Sequence, residues 1–98
     1  MSRKTRGPAA RKEKFKQRVE RWAKSVRVKP SQIRVQAMRT KWASCSSAGW
    51  ITFDEALLKK SRKFQDHVIV HELLHLKIPN HGRLFKSLLR THLGSRAL

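Results

Sequence analysis

Three side chains in one short apolar run are equipped for chemistry. Residues 68–81 read VIVHELLHLKIPNH, and within them His71, Glu72 and His75 form the pattern His-Glu-x-x-His. Helix positions four apart lie one above the other, so both imidazoles can reach a single ion. Zinc–nitrogen bonds are about 2.0–2.1 Å long, and neutral imidazole suits zinc. Glu72 follows the first imidazole by one residue, so it can reach a water on the ion without binding the ion itself. Zinc lowers the pKa of such a water to about 7, and a nearby carboxylate can take its proton. The pattern therefore points to hydrolysis with Glu72 as general base. By composition alone the chain is expected to hold about 0.01 such matches. The competing reading is a core helix whose histidines merely satisfy buried hydrogen bonds. That reading leaves three ionisable groups in an apolar run with no partner to offset their desolvation.

A catalytic zinc usually takes three protein ligands and keeps one position open. His67, His71 and His75 share a stripe, but eight residues of helix span about 12 Å, too far for one ion. The third ligand must come from elsewhere. His81, returned by the Pro79-Asn80 turn, is the first candidate and His92 the second. His67 is left as a polar residue at the helix start, in a cleft wall. Ligating histidines usually donate their second N–H to a carboxylate or carbonyl, and Asp54 is the candidate for that role. Capping of the segment EALLKKS explains Asp54 equally well. Cys45 is the single cysteine, so neither an intramolecular disulfide nor a multi-cysteine zinc finger is available. It reads as a small buried apolar residue.

These residues need elements to position them. Phe15, Val19, Trp22 and Val26 recur at helical spacing, which predicts a basic amphipathic helix over residues 11–27, ended by Pro30. Ile33, Val35 and Ala37 alternate with polar residues as in a strand. TKWASCSSAGWITF reads as a hairpin turning at Ser46–Gly49. The active-site helix is expected from Phe64 to Lys77, stopped by Pro79. Asn80 then caps a last helix with Leu84, Phe85, Leu88, Leu89 and Leu93 inward, ended at Gly94. The order predicts one α+β domain over residues 11–98, preceded by a flexible basic arm over 1–10.

The formal net charge is +18, and half of the 24 Lys and Arg lie in the first 30 residues. Such a field attracts polyanions, nucleic acid and ribosomes among them. Arg3, Lys4, Arg6, Arg11 and Lys12 are the candidate nucleic-acid contacts; a solvated arm is the plainer reading of the same charges. No apolar run is long enough to span a membrane, and the N-terminus lacks the apolar core of a secretory signal. With one lone thiol, a cytoplasmic protein is expected.

Two stretches together suggest a family. KWASCSSAGWITFDEALL, followed after a spacer by DHVIVHELLHLKIPNHGRLFKSLL, resembles the YgjP-like metallopeptidase family, related to SprT-like and other zincin proteases. Trp42, Ser44, Cys45 and Ser46 match its first motif. His71, Glu72, His75, Asn80, His81 and Phe85 match its second. Ala43, Asp54 and His67 depart from the Gly, Asn and aromatic common there. The resemblance implies a minimal zincin-like domain with an N-terminal helix, a small three-stranded sheet, the His-Glu-x-x-His helix and a C-terminal helix. It implies one zinc ion held by His71, His75 and His81, with Glu72 as general base and acid. It also implies a peptide or protein substrate that pairs along a strand beside the cleft.

Two other functions compete. Residues 65–93 can be read as a helix-turn-helix in a nucleic-acid-binding module without catalysis, but His71, Glu72 and His75 then serve no purpose. A metal-dependent nucleotide hydrolase suits the basic surface, yet the chain has no GxxxxGK[ST] or GxGxxG loop.

Overall fold

The computed structural model describes residues 8–94. In chain order they form helix α1 (Pro8–Val26), strands β1 (Gln32–Gln36), β2 (Ala43–Cys45) and β3 (Trp50–Asp54), a 3-10 segment (Glu55–Lys59), and helices α2 (Arg62–Leu74) and α3 (Arg83–Leu93). The expected α+β arrangement of helices about a three-stranded sheet is present.

α1 forms because one stripe of its otherwise basic sequence is apolar. Phe15, Val19 and Val26 are buried, Ala23 joins them, and Trp22 is half-buried against them. The helix takes in residues 8–10, which the sequence suggests as part of the arm. Pro8 stands at its first position, where a missing N–H leaves no helical bond unmade. At the other end the chain stops before Pro30 acts. Arg27 adopts a left-handed backbone (φ 67°). The Val28 N–H then reaches the Ala23 carbonyl at 3.0 Å and the Arg27 N–H the Lys24 carbonyl at 3.2 Å. This is a Schellman closure with arginine where glycine is usual.

β3 is the middle strand, antiparallel to β2 and parallel to β1. The hairpin between β2 and β3 turns at the expected place. Ser46 Oγ accepts the N–H of Ala48 and of Trp50. Gly49 takes φ 88°, and a Cβ there would lie 2.7 Å from Ser31 Oγ. β1 runs Gln32–Gln36, so Ala37 falls outside it. Ile51 and Phe53 of β3 are fully buried, and the Phe53 ring meets Phe15 edge-on at 5.1 Å. The central strand thus packs directly under α1.

α2 begins two residues before the expected Phe64 because Ser61 caps it, its Oγ accepting the Phe64 N–H at 3.1 Å. Its end tightens: the N–H groups of His75, Leu76 and Lys77 reach carbonyls three residues back instead of four. His75 is the C-cap and keeps a helical backbone, so its side chain stays one turn above His71. Lys77 Nζ donates to the Val26 carbonyl at 2.8 Å, joining the ends of α1 and α2.

Three expectations are corrected. Asn80 does not cap α3. Gly82 is the N-cap, and Asn80 Oδ1 accepts the Gly82 N–H at 3.0 Å in a turn that precedes the helix. Leu84 is not inward but 61% exposed, because Phe85, a step of about 100° further round, takes the buried position. Asp54 makes no side-chain cap; its Oδ1 accepts the Met38 N–H at 3.1 Å and holds the loop after β1.

Candidate active site

α2 is fixed to α1 before it reaches the histidines. Asp66 is 4% exposed, and its Oδ1 accepts from both the Arg18 guanidinium and Trp22 Nε1. Gln65 beside it accepts from Arg18 and donates to the Leu58 and Lys60 carbonyls. The two buried polar side chains here, Gln65 and Asp66, thus both have partners from outside α2, as burial requires.

The other end is arranged differently. His71 and His75, half-buried on α2, meet the exposed His81 from the α2–α3 loop. One ligating atom from each lies within 4.8 Å of the others. Ring centroids are 4.9 Å apart for His71–His75, 5.0 Å for His71–His81 and 4.7 Å for His75–His81. His75 Nδ1 faces the Ile78 carbonyl at 3.2 Å, and His71 Nδ1 faces Glu72 Oε2 at 3.3 Å. A carbonyl or carboxylate oxygen only accepts, so both Nδ1 atoms donate. Each neutral ring therefore keeps its lone pair on Nε2. His75 Nε2 points at His81 Nε2 from 2.9 Å. A tetrahedral ion with zinc–nitrogen bonds of about 2.0–2.1 Å sets its ligand nitrogens roughly 3.3 Å apart. A shift of a few tenths of an ångström would fit this pair to such an ion.

One aromatic ring packs against all three imidazoles. Phe85 packs its ring 5.2, 4.8 and 4.9 Å from His71, His75 and His81. Desolvation, then the nearby His71 and His75, holds His81 below the ordinary histidine range. That favours the neutral form a metal ligand requires.

Glu72 lies between α2 and the edge strand β2. It lines a hollow with Ser44, Cys45 and His75, and another with Trp42, Phe64 and His67. Burial, with the nearby Glu72, raises the Cys45 thiol above its ordinary pKa, which keeps it protonated. His67 stands in the cleft wall as expected, its Nδ1 buried without a hydrogen-bond partner. Burial and then the nearby His71 lower its pKa.

The remaining candidates disperse. His92 is outside the histidine cluster, beside Lys77. Asp54 holds Met38. Arg11 is exposed on α1, and Lys12 pairs with Glu55 at 3.0 Å. Arg3, Lys4 and Arg6 lie outside the described residues. Sequence reasoning missed the Ile78 carbonyl as the partner of His75, since a main-chain acceptor has no residue signature. It placed Phe85 inward without seeing that the ring covers three imidazoles.

Fold and site together define a metallopeptidase, a hydrolase of peptide bonds that uses a metal cofactor. The model of the YgjP-like metallopeptidase domain matches residues 8–96, and the chain belongs to that family. A similar solved structure is the metallopeptidase zymogen of Methanocaldococcus jannaschii jannalysin. It is 28% identical, with a TM-score of 0.72 over 79% of each chain. No curated protein matches the chain. No helix among the described residues is long and apolar enough to cross a membrane.

Proposed function

We infer that this chain is a zinc-dependent peptidase in which His71, His75 and His81 hold one ion and Glu72 is the general base. The observation that carries the reading is the direction of the imidazoles. Nδ1–H bonds to Glu72 and Ile78 leave the Nε2 lone pairs of His71 and His75 for a cation, and His81 approaches the same point. When bound, zinc supplies Lewis acidity, lowering the pKa of a water to about 7 and polarising the scissile carbonyl. Glu72 takes the proton of the attacking water on a carboxylate oxygen and returns it to the departing amine. Phe85 packs its ring against the three imidazoles and covers one side of the cluster. β2 supports the substrate. It pairs with β3 on one side only, so its other side offers main-chain groups to an extended peptide beside Glu72.

Elemental analysis of purified protein, paired with a peptide-library assay, tests the reading. Wild type and Glu72→Gln are expected to carry one zinc per chain. His71→Ala, His75→Ala and His81→Ala are expected to lose it. Glu72→Gln should hydrolyse at least about 100-fold more slowly, the usual worth of a positioned general base. A histidine variant that keeps stoichiometric zinc, or a Glu72→Gln rate equal to wild type, would falsify the assignment.

A further inference from the structure

A second feature of α1 has no part in hydrolysis. Arg11, Lys14, Arg18 and Arg21 recur at steps of three or four residues, so they form one stripe beside the buried Phe15 and Val19 and the half-buried Trp22. Successive cations rise about 5 Å along the axis. The stripe faces the start of α2, where Arg62 and Lys63 occupy the first turn and no acid does. Two hollows of about 470 and 430 Å³ lie between the helices. They share Arg18, Arg21 and Arg62, so they make one groove.

The groove has six basic side chains and, among the described residues, one lining acid, Asp66. That acid is buried and engaged by Arg18 and Trp22. Arg11, Lys14, Arg21, Arg62 and Lys63 are exposed. Burial lowers the Arg18 pKa; Asp66 raises it, and the neighbouring Arg62 and Arg21 add smaller lowering effects. α2 also turns the positive end of its dipole toward the groove.

We propose that the α1–α2 groove binds the phosphodiester backbone of nucleic acid, through Lys14, Arg21, Arg62 and Lys63. Four of the six cations are arginines, whose planar fork matches phosphate oxygens. A row of cations at helical spacing suits a polymer of regular charge. Contacts to phosphate carry no base sequence, so recognition is indifferent to sequence. The site lies off the catalytic cleft: Asp66 and His67 are one residue apart, hence about 100° apart around α2. Bound nucleic acid would leave the histidines and β2 open, so a peptidase could act on proteins held beside it.

The test is fluorescence anisotropy of the full chain with labelled mixed-sequence 20-mers, one duplex DNA and one single-stranded RNA, from 50 to 300 mM salt. Wild type should bind at least one of them, and the two arms report which backbone fits. The triple variant Lys14→Gln/Arg21→Gln/Arg62→Gln should bind at least about tenfold more weakly, its log K against log salt slope smaller by roughly 2–3. A control triple, Lys29→Gln/Arg39→Gln/Arg90→Gln, should retain most of the affinity. The proposal is overturned if neither nucleic acid binds, or if both triples lose affinity equally. It is also overturned if polyglutamate displaces the oligonucleotide at equal charge concentration. Wild-type protein gives a second measurement: nucleic acid should protect Lys14 and Lys63, but not Lys29, from amine acetylation. Peptide hydrolysis by the groove triple should match wild type, so failure here leaves the hydrolytic reading untouched.

Discussion

The two ends of α2 hold ionisable groups in opposite ways. Near its start, Asp66 is buried and receives donors from Arg18 and Trp22. Near its end, three imidazoles converge, with Nε2 of His75 facing Nε2 of His81. The first is closed, since the buried carboxylate finds its donors within the chain. The second gathers acceptors around a point that calls for a cation. Burial alone does not separate a structural polar group from a functional one. What separates them is whether the chain also supplies the partner.

The largest way to test this contrast is to open the closed end. Asp66→Ala leaves the Arg18 guanidinium without its carboxylate, and breaking a buried pair costs about 3–5 kcal/mol. Urea denaturation of the metal-free protein should report that loss. The folded fraction should still take up zinc with wild-type stoichiometry, because the histidines do not depend on Asp66 for their Nδ1 partners.

A smaller effect concerns pH. Burial, then Lys77, holds His92 below its ordinary pKa in the folded state. The fold therefore favours neutral His92. The associated stability is present above the unfolded value of about 6.5 and is lost as pH falls from there through the folded value. His92→Gln should flatten that decline in thermal unfolding scans of metal-free protein between pH 7 and 5. A decline as steep as wild type would assign it to other histidines.

The smallest concerns the end of α1. Arg27 carries a left-handed backbone that glycine adopts without steric penalty. Arg27→Gly should change stability by at most about 1 kcal/mol, toward stabilisation, since relief of strain outweighs the added chain entropy. It should alter neither zinc content nor hydrolysis, which would separate local backbone strain from the chemistry of α2.

Much of this molecule was legible in its residues. Helix periodicity set Phe15, Val19 and Val26 inward, and the Ser46–Gly49 turn gave the hairpin. Helical spacing paired His71 with His75 and left His67 out, as in the observed cluster of His71, His75 and His81. The mistakes share a cause. Asn80 and Asp54 are good capping residues, but local propensity cannot say which nearby N–H a side-chain oxygen will take. Asn80 took Gly82 and Asp54 took Met38. Leu84 is as apolar as its neighbours, yet it is Phe85 that is buried, against the histidine rings, while Leu84 faces out.

The sequence by itself determined the chemistry on offer: two imidazoles one turn apart with a carboxylate between them, on a strongly basic chain. These are properties of side-chain type and helical period, which need no distant partner. Only the tertiary structure decided that His81 rather than His92 completes the cluster, and that β1 joins the sheet parallel to β3. It also decided that the cations of α1 meet those of α2 in one groove. Each of these joins residues through loop geometry and packing between separate elements, and spacing along one element carries no record of that.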